Sequence, residues 1–268
     1  MNRGASGPVL PRRRQQEREQ QNQRVTKSYP HRNRCITLSR GGSDLDEIGG
    51  LRLGGNQHLY RWTPWKPEIY QDYDAPIVAS IDGQFRPLIA GFGFWPRALQ
   101  KANVERAKEQ GRKPPIMRST MNVRDDNLGK SPLYGPTWRS GGRCLIPARY
   151  VIEPSYPDAR RDASGKWILG PCVWQRIGVI DRPTMCVAGI WRTLKDLEGR
   201  PRHAMTMITV NADDHPVMSR MHKPDDEKRS VVILRADDWE EWLTTPNVEA
   251  ARAMLQLYPA DEMAAEPK

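Results

Sequence analysis

A succession of short segments rich in β-branched and apolar residues constrains the fold of this chain more than any other feature. Runs of this length and composition are typical of strands and are too short to be core helices. They are Pro76–Ala79, Leu88–Phe92, Arg143–Ile146, Val173–Ile180, Met185–Trp191, Ala204–Val210 and Val231–Leu234. Because Asp82-Gly83 suits positive φ in a tight turn, the first two runs are predicted to form a β-hairpin within Ala75–Trp95.

Helical patterns lie at the edges of this strand-rich region. A charged helix is predicted from Ala98 to Gln110, where Gly111 and the Pro114-Pro115 pair would end it. Near the C-terminus, the acidic pair Asp237-Asp238 favours a helix start, and Pro246 limits that helix. Asn247 is a good N-cap for a last helix reaching Leu257. Many strands with helices at their margins predict an α+β fold.

The excess of positive charge belongs to the N-terminal segment. Residues 1–40 contain ten Lys/Arg and two Asp/Glu, which leaves a net charge of +2 for residues 41–268 out of the chain's +10. Residues 1–34 lack apolar periodicity, so we predict a disordered basic tail followed by one domain over residues 35–268. Such a tail could bind phosphate backbones or merely aid solubility, and composition does not choose between them.

Several protein classes do not fit this sequence. No apolar run approaches the roughly 18 residues of a membrane helix, and the N-terminus has no apolar core of a secretory signal. The four cysteines form no CxxC pair and have no histidine at zinc-finger spacing. We therefore expect a cytoplasmic protein with reduced thiols, associated with the nucleoid if bacterial, that needs no metal or cofactor.

Four residues are candidates for chemistry by residue type and context. His222 lies in a Pro- and charge-rich stretch, where histidines are more often ordinary surface or core residues than catalysts. Glu153 follows the apolar strand that contains Cys144, and it would suit proton transfer if burial raised its pKa, or a strand-end salt bridge otherwise. Asn122 could equally cap a turn, and Cys35 could be an ordinary thiol.

Taken in order, several segments resemble the SOS-response-associated peptidase (SRAP) family of abasic-site processing proteins. Phe92-Gly93-Phe94-Trp95-Pro96 is similar to the family's WGLIP segment, and Asn122-Val123-Arg124 to the start of its NARAE segment. The remaining matches are Arg143–Ala148 with Glu153 (RCLIPA…E), Val187–Trp191 (AGLW) and His215–His222, which corresponds to the stretch ending in the active histidine. Lys228-Arg229 and Val232–Leu234 then resemble the RMPVIL strand, after a short insertion at Lys223–Glu227.

The resemblance implies a β-rich domain of curved antiparallel sheets and a covalent mechanism. In this family the α-amine of an N-terminal cysteine attacks the aldehyde of an abasic site, and its thiol then closes a thiazolidine. Cys35 corresponds to that cysteine. Glu153 would shuttle protons, His222 would assist opening of the sugar, and Asn122 would orient the reacting groups. The implied activity is lyase-like crosslinking, with autopeptidase activity where the cysteine is freed by self-processing.

The resemblance also implies a monomer acting on single-stranded DNA that carries an abasic site. Arg124 and Arg229 match positions that contact phosphates, and Trp95 and Arg143 are assigned to the same DNA-binding surface. Ala98 stands near the place of the family's aromatic wedge, so Trp95 would have to substitute or stacking would be weaker.

One departure bears directly on activity. The sequence begins Met1-Asn2, and Arg34 acylates the nitrogen of Cys35, which as an amide cannot form an imine. Three alternatives follow: residues 1–34 are removed, the true start differs, or the protein binds single-stranded DNA without crosslinking. A cysteine peptidase using Cys35 or Cys144 with His222 is a further alternative.

Overall fold

A computed structural model describes residues 66–182 and 184–268, together with the backbone of the strand Cys35–Thr37. The predicted disordered tail, residues 1–34, lies outside the described residues. Within the described part, strands dominate and helices are few and short, which confirms the predicted α+β class. None of the helices there is long and apolar enough to cross a membrane.

Fifteen strands are defined in the described residues. In chain order, β1 to β15 are Cys35–Thr37, Glu68–Ile69, Asp74–Ile81, Gln84–Phe92, Asn122–Arg124, Arg143–Ala148, Tyr150–Ser155, Arg160–Arg161, Trp167–Ile168, Val173–Val179, Met185–Lys195, Pro201–Asn211, Arg229–Val231, Ile233–Leu234 and Met263–Pro267.

The larger sheet has the order β13-β12-β4-β3-β6-β11-β14, with β5 paired to β12. Most of its pairings are antiparallel, although β12 runs parallel to both β4 and β5. The predicted hairpin is confirmed as β3 and β4, and its turn residues Asp82 and Gly83 have φ of 51° and 73°. Both values lie in the left-handed region that the Asp-Gly pair was predicted to adopt.

The smaller sheet has the order β15-β10-β7-β1-β2 and is antiparallel where its pairings are described. Strand β7 follows β6 after the single residue Arg149, so the chain passes from one sheet to the other there. The expectation that Glu153 lies at the end of the apolar strand is wrong. Glu153 lies within β7, a strand that Pro154 obscures because proline cannot donate to a ladder.

Two apolar clusters hold the layers together. The first lies between the two sheets and includes Ile77, Ile146 and Met207 from the larger sheet with Val151 and Ile177 from the smaller one. The second covers the other face of the larger sheet, where it joins strand residues to the helices; it includes Trp138, Leu145, Ile208, Trp242 and Ala251. Strands such as β6 and β11 therefore alternate their side chains between two buried interfaces.

The α-helices among the described residues are α1 (Arg97–Glu109), α2 (Asp125–Leu128), α3 (Gly135–Arg139), α4 (Trp239–Thr244) and α5 (Val248–Ala253). The predicted helix Ala98–Gln110 corresponds to α1. Asn247 caps α5 as predicted, since its side chain accepts hydrogen bonds from the backbone N–H groups of Glu249 and Ala250. That last helix is shorter than predicted, because it ends at Ala253 and not at Leu257.

Candidate active site

Glu153 is a carboxylate placed entirely inside the protein. It lies in β7 between β1 and β10, opposite Gln175 of β10, and its relative exposure is 0%. Residues two apart on a strand share a face, so Glu153 lies on the same face as Val151, which packs in the cluster between the sheets. A carboxylate at such a position is costly unless polar groups surround it, and this cost is typical of a functional position.

His222 is brought to Glu153 by a loop that returns to the end of β7. Its Nε2 atom lies 3.1 Å from Oε2 of Glu153, and its side chain is 20% exposed. The backbone N–H of His222 donates to the carbonyl of Pro154 at 2.6 Å, and Met221 bridges to Ser155. The two residues that the sequence nominated separately are therefore direct neighbours, with the histidine between the buried carboxylate and solvent.

The backbone of His222 is in an unfavourable conformation. Its φ is 60°, in the left-handed region that costs an L-residue other than glycine, asparagine or aspartate roughly 1–2 kcal/mol. Strain of this kind persists where the surrounding structure fixes the backbone, and it concentrates at functional sites.

Two residues that sequence reasoning did not nominate fix this loop. The ammonium of Lys228, which is buried, donates to the carbonyls of Met221 and Lys223 on either side of His222. His215 accepts the N–H groups of Val217 and Met218 at Nδ1, while its Nε2 bonds the carbonyl of Tyr258. Desolvation lowers the pKa of Lys228, the expected sign for a cation held inside a protein. Both residues lie in segments that the motif comparison matched to the family, but nothing there indicated that they fix the loop.

The backbone of Cys35 lies beside this pair. Strand β1 is antiparallel to β7, with Cys35 opposite Ile152 and Thr37 opposite Tyr150. Because the two strands run in opposite directions, the backbone nitrogen of Cys35 faces the end of β1 that lies level with Glu153, the residue after Ile152. The cysteine and the glutamate, 118 positions apart in the sequence, are thus brought to adjacent rungs of one sheet.

Asn122 lies in β5, and not in the turn or cap that was one of its alternatives. It pairs with Met207, whose side chain belongs to the cluster between the sheets together with Met218 and Met221. Its Oδ1 atom is buried and has no hydrogen-bond partner among the described residues. A buried acceptor of this kind is uncommon, and a bound donor group would satisfy it.

Cys144 does not have the properties of a nucleophile. It is fully buried in β6, and desolvation raises the pKa of its thiol, as it also does for Cys186. Reactive cysteines need a lowered pKa and solvent access. The alternative of a peptidase built on Cys144 and His222 therefore has no support in this arrangement.

A family model for the SOS response associated peptidases (SRAP) matches residues 69–267. The chain belongs to the SRAP family. The matched range includes Asn122, Glu153 and His222, and the resemblance seen in the sequence motifs is confirmed. No protein with a curated functional description matches the sequence.

Solved structures share the SRAP fold of this chain. A protein from Bordetella bronchiseptica has 22% identity and a TM-score of 0.66, covering 88% of this chain and 99% of its own. A protein from Bacteroides thetaiotaomicron has 18% identity and a TM-score of 0.61, with coverages of 87% and 90%. A phage-related protein from B. bronchiseptica has 18% identity and a TM-score of 0.57, with coverages of 88% and 94%.

Arg124 and Arg229, the phosphate-contacting candidates in the SRAP resemblance, converge on one carboxylate. Glu227 accepts from Arg124 through Oε2, and from Arg229 through Oε1 at 2.9 Å. Arg124 also pairs with Asp126 at 2.8 Å, and Arg229 with Asp125 at 2.7 Å. Glu227 lies in the segment Lys223–Glu227, which the motif comparison predicts to be an insertion, and it supplies an internal anion to both arginines.

The two arginines differ in their access to a ligand. The side chain of Arg124 is 46% exposed, whereas that of Arg229 is 10% exposed and also bonds Thr209 of β12. A role for Arg229 in fixing β13 to β12 is therefore visible in the structure. Phosphate contacts by either residue remain a prediction.

Arg143 and Trp95 are placed in different environments. The guanidinium of Arg143 is buried and donates to the carbonyls of Trp242 and Thr245 at the C-terminal end of α4. Trp95 is half-buried, and its backbone is tied to Thr120 and Gln100. The structure thus shows a helix-capping role for Arg143, while Trp95 is only partly buried and stacking on it stays a prediction.

Proposed function

We propose that this SRAP protein processes abasic sites in single-stranded DNA and, once Cys35 is N-terminal, forms a covalent thiazolidine link to them. The observation that carries the proposal is the juxtaposition of Cys35, Glu153 and His222. One strand pairing sets the nitrogen of Cys35 level with Glu153, and the His222 imidazole lies 3.1 Å from that carboxylate. The family match supports the same activity.

The chemistry needs an amine, a thiol and a proton carrier. The neutral α-amine of Cys35 attacks C1′ of the ring-opened sugar, and the resulting carbinolamine loses one water to give an imine. The thiol sulfur then adds to the imine carbon, the nitrogen takes up the proton, and a five-membered thiazolidine closes at high effective molarity. An α-amine with pKa near 7.7–8.0 is partly neutral at cytosolic pH.

Each of the other residues has a place in this sequence of steps. Glu153 delivers a proton to the departing hydroxyl of the carbinolamine, a role that suits a carboxyl group held out of bulk water. His222, between Glu153 and solvent, assists opening of the deoxyribose and exchanges the proton with the outside. Asn122 offers its Oδ1, which has no partner among the described residues, to a donor such as a sugar hydroxyl or the amine.

The test starts from the full chain, in which a site-specific protease sequence is placed immediately before Cys35. The protein folds intact and is then trimmed, and both forms are incubated with a single strand containing one abasic site. We expect a heat-stable crosslink with the trimmed form and none with the intact form. Equal crosslinking by verified intact chain would show that Cys35 is not the nucleophile.

Cys35→Ser in the same trimmed protein is the matched control. Serine keeps the α-amine and loses the thiol, so an imine forms that borohydride can trap, but no stable thiazolidine follows. A heat-stable crosslink in trimmed Cys35→Ser protein without borohydride would contradict the mechanism.

A second candidate function rests on the acylated nitrogen of Cys35 in this sequence. If the protein acts with residues 1–34 attached, it is a single-stranded DNA-binding protein that cannot form the covalent bond. The intact mass of the chain from its native host distinguishes the two, since a species beginning at Cys35 requires cleavage after Arg34. Appearance of that species in purified protein without added protease would identify self-processing.

A further inference from the structure

Residues 97–118, called here the basic arm, concentrate the positive charge of the folded domain. The arm consists of α1 and the extended segment that follows it, and it contains seven Lys/Arg and two Asp/Glu. Its net charge of +5 exceeds the +2 of residues 41–268 as a whole, so the remainder of that range has a net charge of −3. A polyanion approaching the domain therefore encounters its strongest attraction at the arm.

The arm is exposed along its length yet firmly attached at both ends. Residues 108–119 are all exposed, and within α1 only Gln100 and Ala107 are buried. The side chain of Gln100 donates to the carbonyls of Trp95 and Arg118 and accepts the N–H of Arg118 at 2.9 Å. These bonds fix the far end of the extended segment against the start of α1 and leave the residues between them in solvent.

Two exposed apolar side chains lie near the C-terminal end of the arm, just before Arg118. Ile116 is 78% exposed and Met117 is 40% exposed. Exposed large apolar residues within a cationic segment suit a ligand that has both phosphates and accessible base faces, which is a property of single strands and not of a closed duplex.

The anchored end of the arm leads directly into the candidate site. Arg118 is held beside Trp95, and Thr120 bonds the backbone N–H of Trp95 through its hydroxyl at 3.0 Å. Strand β5 begins two residues later at Asn122. A strand bound along the arm would therefore continue toward the half-buried Trp95 ring and the reacting residues.

The cations of the arm are more available than the arginine pair described above. Arg124 and Arg229 share Asp125, Asp126 and Glu227, so three carboxylates already neutralise two guanidiniums. By contrast, Arg112 bonds the neutral side chain of Gln110, and neither Arg112 nor Lys113 has a carboxylate partner in the described part of the chain.

We infer that the basic arm is a binding surface for the backbone of single-stranded DNA next to the abasic site, with Ile116 against an unstacked base. The inference deepens the proposed function, on which the position of the lesion depends. Binding of an undamaged strand to the arm, however, needs no covalent chemistry, so the two can be tested apart.

The test compares two double variants of the full chain that lose the same charge. Arg112→Gln/Lys113→Gln lies in the arm, and Lys195→Gln/Arg200→Gln lies on exposed positions of β11 and the following turn. Binding to an undamaged fluorescent oligonucleotide is measured over a range of salt concentrations. Removing one phosphate interaction flattens the single-strand salt slope by about 0.7, so we expect the slope of the arm variant to fall by about 1.4 and the control to retain the wild-type slope.

A third variant tests the exposed apolar residue Ile116. Ile116→Ser is expected to weaken single-strand binding several-fold without changing the salt slope, because it removes a base contact and no charge. Unchanged affinity and slope in the arm variant, or equal losses in the arm and control variants, would overturn the inference. Loss of binding to anionic phospholipid vesicles with undiminished oligonucleotide binding would overturn it too, and would make a membrane surface the occupant.

The covalent function is tested by a different measurement from the binding surface. Crosslinking by the trimmed wild-type chain is followed separately, at saturating abasic oligonucleotide. Absence of crosslinking together with the expected loss of slope would reject the covalent function and retain the arm. Normal crosslinking together with an unchanged salt slope in the arm variant would retain the covalent function and reject the arm as a binding surface.

Discussion

The Nε2 atom of His222 lies 3.1 Å from Oε2 of Glu153, a carboxylate that has no exposed surface. The two residues come from a loop and a strand almost 70 positions apart, and a backbone hydrogen bond from His222 to Pro154 maintains their approach. The imidazole is thus the partly exposed end of a pair whose other member is closed off from water. Such a pair can pass a proton between a buried reaction centre and solvent, provided that both side chains act in one step.

Glu153→Gln tests the proton-transfer role. Glutamine preserves the volume of the side chain but cannot ionise, so we expect crosslinking by the trimmed chain to slow by roughly 10²–10⁴-fold at neutral pH. Rate and melting temperature are measured on the same protein. A lower melting temperature with a wild-type rate would instead assign Glu153 a purely structural role.

The variants of His222 are chosen for its positive φ. At a φ of 60°, glycine and asparagine are tolerated, whereas alanine retains the strain; glycine and alanine both lose the side-chain contact with Glu153. We expect His222→Gly and His222→Asn to be more stable than His222→Ala, which should fall about 1 kcal/mol below the glycine variant.

All three His222 variants should crosslink more slowly than the wild type, and by less than Glu153→Gln, since sugar ring opening also occurs spontaneously. Thermal unfolding gives the order of stabilities, and single-turnover crosslinking gives the rates. Rates that followed stability across the three variants would indicate that the histidine acts through the backbone and not through its imidazole.

The positions of the strands were largely predictable, because alternating apolar residues and the Asp82-Gly83 turn report local geometry. The pairing partners were not, because they depend on contacts between distant segments. Glu153 illustrates the limit: Pro154 interrupts the strand pattern, and only the passage from β6 into the other sheet explains why the carboxylate is buried. Its proximity to His222 likewise depends on a loop fixed by Lys228, a residue whose buried ammonium no local pattern indicates.

The DNA-contact candidates also show that burial could not be predicted from the motifs. A motif match identifies an arginine but not its exposure, and Arg143 turned out to be buried against α4. Motif matching also gave no information about the segment Lys223–Glu227, since nothing in its sequence indicated that Glu227 would contact two arginines.

Arg143→Ala is expected to destabilise the domain more than it weakens DNA binding. The guanidinium satisfies the carbonyls of Trp242 and Thr245 at the end of α4, and leaving a buried acceptor unpaired costs about 1–3 kcal/mol. Chemical denaturation gives the free energy of unfolding, and DNA affinity is measured where the variant is fully folded. Weakened binding with unchanged stability would restore the DNA-contact assignment.

Arg124→Ala and Arg229→Ala should have different consequences. Arg124 is exposed, so its loss should weaken single-strand binding and flatten the salt slope by about 0.7, the effect of one phosphate contact. Arg229 is buried between Asp125, Glu227 and Thr209, so its loss should mainly lower the melting temperature. An unchanged slope for Arg124→Ala would remove that residue from the DNA-binding surface.

Glu227→Gln should convert the arginine pair into a better phosphate site. Removing the carboxylate charge leaves Arg124 and Arg229 with less internal compensation, so we expect single-strand affinity to rise several-fold and the salt slope to steepen by up to about 0.7. Glu198→Gln, which removes an exposed carboxylate paired with Arg200, is the matched control and should leave binding unchanged.

The same substitution has a signature in the pH dependence of stability. Hydrogen bonds from Arg124, and then from Arg229 and Asn211, lower the pKa of Glu227 in the folded protein from its ordinary value of 4.5. The folded state therefore holds this proton less tightly than the unfolded state, so ionised Glu227 stabilises the fold above pH 4.5 and ceases to do so as the pH falls through the lowered pKa. The stability lost in Glu227→Gln should be greatest near neutral pH and should vanish in acid. A difference that persisted in acid would mean that the glutamine disturbs packing, and unaltered DNA binding at neutral pH would mean that Glu227 does not compete with phosphate.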